Sequence, residues 1–303
     1  MRVLSIDGGG IRGIIPALVL AEVEARTGRR TAELFDLVAG TSTGGILACA
    51  LTRPHPQSAA ELVELYRVEG PRIFERSLGR RVRSVEGLID ERHDDTALQD
   101  ALERYLGPGP LSAATTRVLV TAYDLQARAP FFFKSWRPER DAPLRTVARA
   151  TAAAPTYFEP IEVGARSLVD GGVFATNPAM CAYAETVVLQ GRPPRFVLSL
   201  GTGRQTRAIP HATAVGWGLI EWVRPLIDVV FDGVSDTVEY QLAHLMPSGG
   251  VVRLQTVLDK ASDALDDASP RNLALLEEQA RELIARESAA IDAACAALVA
   301  QGS

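Results

Sequence analysis

Three short stretches of the 303-residue chain carry residue types that could do chemistry. In order they are Asp7-Gly8-Gly9-Gly10-Ile11-Arg12-Gly13, Gly40-Thr41-Ser42-Thr43-Gly44 and Asp170-Gly171-Gly172. In a Gly-x-Ser-x-Gly pattern the serine occupies a strained strand-to-helix turn and lifts its hydroxyl out of the sheet. A Cβ at Gly40 or Gly44 would collide with the backbone of so sharp a turn. Ser42 is thus a candidate nucleophile. The helix that starts just after it aims unpaired N–H groups and a positive dipole end at charge developing beside the hydroxyl. Taken alone the motif is weak, because a chain with 25 glycines can produce it by chance, and its bland reading is a glycine-rich turn.

A nucleophilic serine needs a base and an oxyanion trap. The amides of Gly9 and Gly10 are one candidate trap and the amide of Thr43, next after the nucleophile, is another. The base is the more informative question. His55 lies between two prolines, His93 in a charged run, and His211 and His244 in or near an apolar segment. None of the four ends an apolar strand ahead of a glycine turn, where a triad histidine would be held. Asp170 does, since Leu168-Val169 bury the approach and Gly171-Gly172 allow a sharp exit. An aspartate is a weak base, with a reference pKa of ~3.9. Desolvation beside Ser42 would raise it toward the useful range. A Ser42–Asp170 dyad is the arrangement these residues best support.

Gly8-x-Gly10-x-x-Gly13 also matches a dinucleotide-binding fingerprint, flanked by a strand and a helix as that fingerprint requires. Against a nucleotide, Asp7 places a carboxylate beside the would-be pyrophosphate. No acidic residue ends a second strand about 20 residues on. Consecutive N–H groups over a helix N-terminus serve equally well as an oxyanion hole.

The elements that must position these residues alternate. Strands are expected at 2–6, 117–123, 130–134 and 196–200, with a hairpin at 161–169 turning on Gly164. Helices are expected from Ile14 to about Arg26, after Ser42, at 58–69 and 94–106, and from Leu144 to Ala154 before Pro155. The stretch from Gly70 to Asp95 reads as an arginine-rich surface excursion. Ala214 to Phe231 is strongly apolar on more than one helical face, which suits either a buried helix or a lid over the site. A C-terminal docking helix starts at Ser269 as N-cap with Pro270 at N1, and Leu273, Leu276, Ala280, Leu283 and Ile291 keep helical spacing. The pattern implies an α/β fold, a three-layer α/β/α sandwich around a mostly parallel sheet, as one domain over residues 1–303.

Composition sets the outer bounds. A hydrophobic share of 47% supplies a sizeable core, and a net charge of −5 argues against a nucleic-acid partner. Cys49, Cys181 and Cys295 stand far apart among small residues, with neither a disulfide framework nor metal spacing, and suit a reducing compartment. No leader peptide and no membrane-spanning run is evident, so a cytoplasmic location is expected. Nothing in the sequence sets an oligomeric state.

The three motifs, in this order, resemble the signature of the patatin-like phospholipases. Further matches are Ala150-Thr151-Ala152-Ala153-Ala154-Pro155-Thr156-Tyr157-Phe158, Asn177-Pro178 and Ser199-Leu200-Gly201-Thr202-Gly203. The likeness is strong over residues 1–203 and loose over 204–303. It implies a lipid acyl hydrolase that works with a Ser–Asp dyad and without histidine, metal or cofactor. Ser42 carries over as nucleophile and Asp170 as base. Gly8, Gly9 and Gly10 carry over as the oxyanion loop, with Arg12 as a candidate electrostatic helper. The implied partner is a glycerophospholipid or related acyl lipid, with transient membrane-surface contact. Two alternatives stand beside this reading: a ligand-activated, membrane-degrading effector of bacterial defence, and a non-enzymatic nucleotide-binding module built on the glycine loop.

Overall fold

The computed structural model describes residues 1–74, 95–204 and 208–300, with side chains at 219, 220, 223, 224, 227 and 228 left out. Most of the expected arginine-rich excursion, and His93 with it, lies outside these residues.

The first half of the chain runs β1 (Arg2–Ile6), α1 (Ile14–Thr27), α2 (Thr31–Leu34), β2 (Leu37–Gly40), α3 (Thr43–Thr52), α4 (Ala59–Ile73) and α5 (Asp95–Leu106). It continues through β3 (Arg117–Asp124), β4 (Ala129–Lys134), α6 (Leu144–Thr151), β5 (Ile161–Val163) and β6 (Arg166–Asp170). Beyond these come α7 (Gly172–Ala175), α8 (Ala179–Gln190), β7 (Phe196–Leu200), α9 (His211–Ala214) and α10 (Leu219–Leu245). β8 (Val251–Leu254), α11 (Pro270–Arg286) and α12 (Ser288–Val299) close the chain.

The strands form a single sheet in the order β5-β6-β3-β2-β1-β7-β8, with β4 also paired to β3. The run β3-β2-β1-β7-β8 is parallel, whereas β4, β5 and β6 join antiparallel. Side chains alternate across it, as the period of two requires. Val3, Leu37, Ala39, Leu119 and Val197 meet Ala179, Ala182, Val238 and Leu242 of α8 and α10 on one face. Leu4, Ile6, Val38, Val120 and Leu198 meet residues of α1, α3, α6 and α11 on the other. Both faces are covered, which is the three-layer α/β/α sandwich expected, with a mostly parallel sheet.

The elements differ from the sequence reading in several places, beginning with α4, which runs on to Ile73 through Gly70 where the surface excursion was expected to start. The helix from Leu144 stops at Thr151, three residues short of Ala154, and the chain turns there before Pro155 disfavours further helix. The C-terminal helix is two helices, since Glu287 ends α11 and α12 starts at Ser288. The apolar segment continues as α10 to Leu245 in spite of Pro225 inside it. Helix α8 and strand β8 were not anticipated. Among the described residues no helix is long and apolar enough to cross a membrane.

Candidate active site

The geometry of the site follows from which edge of β3 each strand uses. β4 takes one edge from Leu119 to Asp124. β2 takes the other, ending with Gly40 opposite Val120. Two residues further along that second edge, Ala122 pairs with Asp170 of antiparallel β6. The chain leaving β2 and the end of β6 therefore come face to face, although 128 positions separate Ser42 from Asp170 in the sequence.

Ser42 has φ 55° and ψ −125° as the N-cap of α3. A non-glycine residue in that region stores about 1–3 kcal/mol of strain and persists only where its surroundings over-determine it. They do. The Ser42 N–H donates to Thr151 Oγ1 at 2.8 Å, and Thr41 Oγ1 is within 2.7 Å of Thr121 Oγ1 and donates to the Ala175 carbonyl at 2.6 Å. A Cβ on Gly40 would lie 2.2 Å from the Gly44 carbonyl oxygen, so the turn closes only on glycine, as its sequence implies.

Asp170 is buried, and its Oδ1 accepts the Gly172 N–H at 2.7 Å. Burial pushes its carboxyl up to about 7, while the Ser42 side chain and the Gly172 N–H pull it down. The group is thus near half-ionised at neutral pH. His55, His211 and His244 are exposed, and no histidine is among the described residues lining the cavity that Ser42 and Asp170 share.

That cavity measures about 70 Å³. Gly8, Gly9, Gly10, Thr43 and Gly172 line it together with the dyad, and Ile46, Ile73, Phe74, Tyr157, Phe158, Phe231 and Leu265 make most of its wall apolar. The Gly8 N–H donates to the Thr176 carbonyl at 2.9 Å, which leaves it committed to the fold. Among the described residues no such bond engages the N–H groups of Gly9, Gly10 and Thr43. Of the five residues expected at a trap, Gly9, Gly10 and Thr43 thus line the cavity with amides not engaged in such bonds. Arg12 is buried outside the cavity lining, and its Nε donates to the Gly9 carbonyl at 3.3 Å, holding the loop from behind. Gly13 and Gly171 also lie outside the lining; a Cβ at either would strike Thr43 and Tyr66, or Thr121.

The supporting roles of several residues, Thr202 and Ser199 of a quoted motif among them, were not read from the sequence. Thr202 Oγ1 donates to the Gly8 carbonyl at 2.7 Å and fills the space a Gly9 Cβ would need, 2.2 Å away. The Ile11 N–H donates to the Leu265 carbonyl at 2.9 Å. Behind the loop, Arg253 of β8 grips Asp7 with Nη1–Oδ1 3.0 Å and Nη2–Oδ2 2.6 Å, and its Nη1 also donates to Ser199 Oγ at 2.9 Å. A single arginine in the otherwise apolar run Val251-Val252-Arg253-Leu254 was the available signal. A charge on a buried strand demands a partner.

A glycine loop and a strained serine turn at the carboxyl ends of the parallel strands β1 and β2, beside a buried carboxylate at the end of antiparallel β6, bring together the parts that a serine acyl-transfer site on an α/β sheet needs. The family model of the patatin-like phospholipases matches residues 4–183. Patatin-like protein 2 of Arabidopsis thaliana is 32% identical over 344 aligned positions, covering 96% of this chain and 84% of the relative. A Solanum tuberosum protein described as probable inactive patatin-3-Kuras 1 is 30% identical, covering 94% of this chain and 86% of its own. VipD of Legionella pneumophila aligns over 94% of this chain and 66% of its own, with 10% identity and a TM-score of 0.43. The chain belongs to the patatin-like phospholipase family and, at the level of that family, is a lipid acyl hydrolase.

Proposed function

We propose that the chain hydrolyses acyl esters of glycerophospholipids through an acyl-Ser42 intermediate, with Asp170 as its base and no histidine in the proton path. The observation that carries this reading is the pairing of a strained Ser42 with a buried Asp170 on one apolar cavity. Ionised Asp170 takes the Ser42 proton as Oγ attacks the ester carbonyl. The N–H groups of Gly9, Gly10 and Thr43 hold the oxyanion, a type of contact worth about 2.7–4 kcal/mol per donor. The proton then passes to the leaving lysolipid oxygen, and the bond from that oxygen to the acyl carbon breaks. Water enters, Asp170 removes its proton, and hydrolysis of the acyl ester returns Ser42 and releases a fatty acid.

Membership of the family does not by itself carry turnover, since one relative is described as inactive. The presence of both dyad residues in one cavity supports activity here. The nucleotide-binding alternative is disfavoured by Asp7, whose carboxylate lies just before the loop, and by the mostly apolar lining of the cavity that the loop faces. Free Cys49, Cys181 and Cys295 suit the expected cytoplasm.

The test is covalent labelling with a fluorophosphonate, read by peptide mass spectrometry, beside product analysis on phosphatidylcholine. The wild-type chain should carry the adduct on Ser42 and release fatty acid and lysophosphatidylcholine. Asp170→Asn should do neither at a comparable rate. Full labelling and turnover in Asp170→Asn would overturn the dyad.

A further inference from the structure

The two halves of α10 differ. Ser235 is buried, and Val238 and Leu242 pack against the sheet face, so the C-terminal half is anchored. The N-terminal half leads to the cavity, which the helix roofs at Phe231. Phe231 lines it, and a Cβ on Gly172 would lie 3.1 Å from the Phe231 ring. On the opposite side of the helix, Trp222, Leu226, Val229 and Val230 recur at i, i+4, i+7 and i+8, and are exposed by 37%, 50%, 47% and 36%. An apolar stripe of four on the outer face of a roof is a feature a water-facing helix does not need. Pro225 removes one backbone hydrogen bond inside this half and makes the first turns easier to displace.

The roofed cavity is small. At about 70 Å³ it is small beside the roughly 300–1,000 Å³ of pockets that hold drug-sized ligands, so seating an acyl chain asks Phe231 to give way. A Phe231 ring that must yield to admit lipid and an outer face that favours an apolar medium point to one occupant. We propose that the stripe Trp222-Leu226-Val229-Val230 on α10 is a docking surface for the phospholipid–water interface, through which the roof meets the aggregated substrate. The proposal rests on the lipid-hydrolase reading above. In sequence α10 carries Glu221, Asp228, Asp232, Asp236 and Glu239 against the single Arg224, so insertion of apolar side chains, rather than attraction to anionic head groups, drives the contact. Phosphatidylcholine surfaces should serve at least as well as phosphatidylglycerol ones.

The test uses the full chain with Ser42→Ala, so that vesicles are not consumed. Flotation with phosphatidylcholine vesicles should show binding that the further pair Leu226→Asp and Val229→Asp weakens roughly tenfold or more. In the active chain the same pair should lower vesicle hydrolysis in proportion while leaving p-nitrophenyl butyrate turnover and melting temperature close to wild type. If the pair fails to fold, Trp222 emission reads the contact in the Ser42→Ala chain, with Trp222→Phe as the blank. It should shift to the blue and resist acrylamide when vesicles are added. Wild-type flotation by the folded pair, or an unmoved Trp222 emission, overturns the proposal. A dimer that the pair dissociates, with no vesicle binding, overturns it in favour of a second copy. Vesicle binding without fatty-acid release by the active chain would instead remove the hydrolase reading and leave the surface standing.

Discussion

The floor and the roof of the cavity are built on opposite principles. The floor is over-determined. Thr202, Thr176, Leu265 and Arg12 each hold one backbone group of the glycine loop, and Thr151 holds the Ser42 amide. Arg253 locks Asp7 from behind with two charge-assisted hydrogen bonds. The roof is a helix with a proline inside it and an apolar outer face. Oxyanion stabilisation requires donors that do not reorganise as charge develops, whereas admitting a lipid requires something above them to give way. The difference between the two regions is therefore one of task. Stiffness belongs where charge is made, and looseness where substrate enters.

Substitutions on each side should break or sharpen that contrast. The largest effect belongs to the dyad. Ser42→Ala and Asp170→Asn should each lower kcat on the order of 10⁴-fold or more, and the double variant should be little worse than either, because both act in one proton transfer. Additive losses measured on phosphatidylcholine would mean that the two residues act separately. Next comes the lock behind the floor. Arg253→Met leaves Asp7 buried without its partner and should cost about 3–5 kcal/mol in denaturant unfolding. Adding Asp7→Asn should return part of that stability. The equivalent surface pair Arg204–Glu239, at 2.5 Å but exposed, should yield at most about 1 kcal/mol in the same experiment.

The third effect is a pH dependence of a few kcal/mol. The Asp170 carboxyl is raised from its ordinary 3.8 to about 7, chiefly by burial. Between those values the unfolded chain has released the proton and the folded chain still holds it. Its contribution to stability is therefore fully present below about pH 4 and is lost as pH rises through about 7. Asp170→Asn should accordingly gain stability over wild type at pH 8 and not at pH 4. The base must be ionised to act, so hydrolysis should rise with pH with a midpoint near 7, opposite in direction to the stability. A flat stability difference between the two chains would show that Asp170 is not buried beside Ser42. The smallest effect belongs to the roof. Trp222→Ala removes a partly exposed ring that meets Trp217 edge-on at 5.1 Å and should change stability by only about 1 kcal/mol. A loss near the ~3–5 kcal/mol of a core aromatic, read by thermal melting, would make the roof as fixed as the floor.

Much of the site was legible in the sequence because its parts are local. Gly40-Thr41-Ser42-Thr43-Gly44 specifies a turn whose steric demands are met within five residues, and Asp7 to Gly13 does the same for a loop over a helix start. Glycine and serine at those spacings restrict the backbone whatever lies around them. Buried strands and the Ser269 N-cap were readable for the same reason. That the Gly8 amide is tied to the Thr176 carbonyl could not be read, because that acceptor is distant in sequence. Arg12 reads as a helper to the oxyanion until the fold turns its Nε onto the Gly9 carbonyl.

The residues of the sequence by themselves determined the backbone geometry of the two motifs and the alternation that makes a three-layer sandwich. Only the tertiary structure decided that β6 follows β2 along the same edge of β3, which is what carries Asp170 to Ser42. It alone decided that Arg253 neutralises Asp7 from 246 residues away, and that one apolar helix buries Val238 and Leu242 yet exposes Leu226 and Val229. The physical reason is the range of the interactions. Steric limits on a turn act between neighbours in the chain, whereas strand pairing, ion pairing and burial depend on which distant segments the folded sheet brings together.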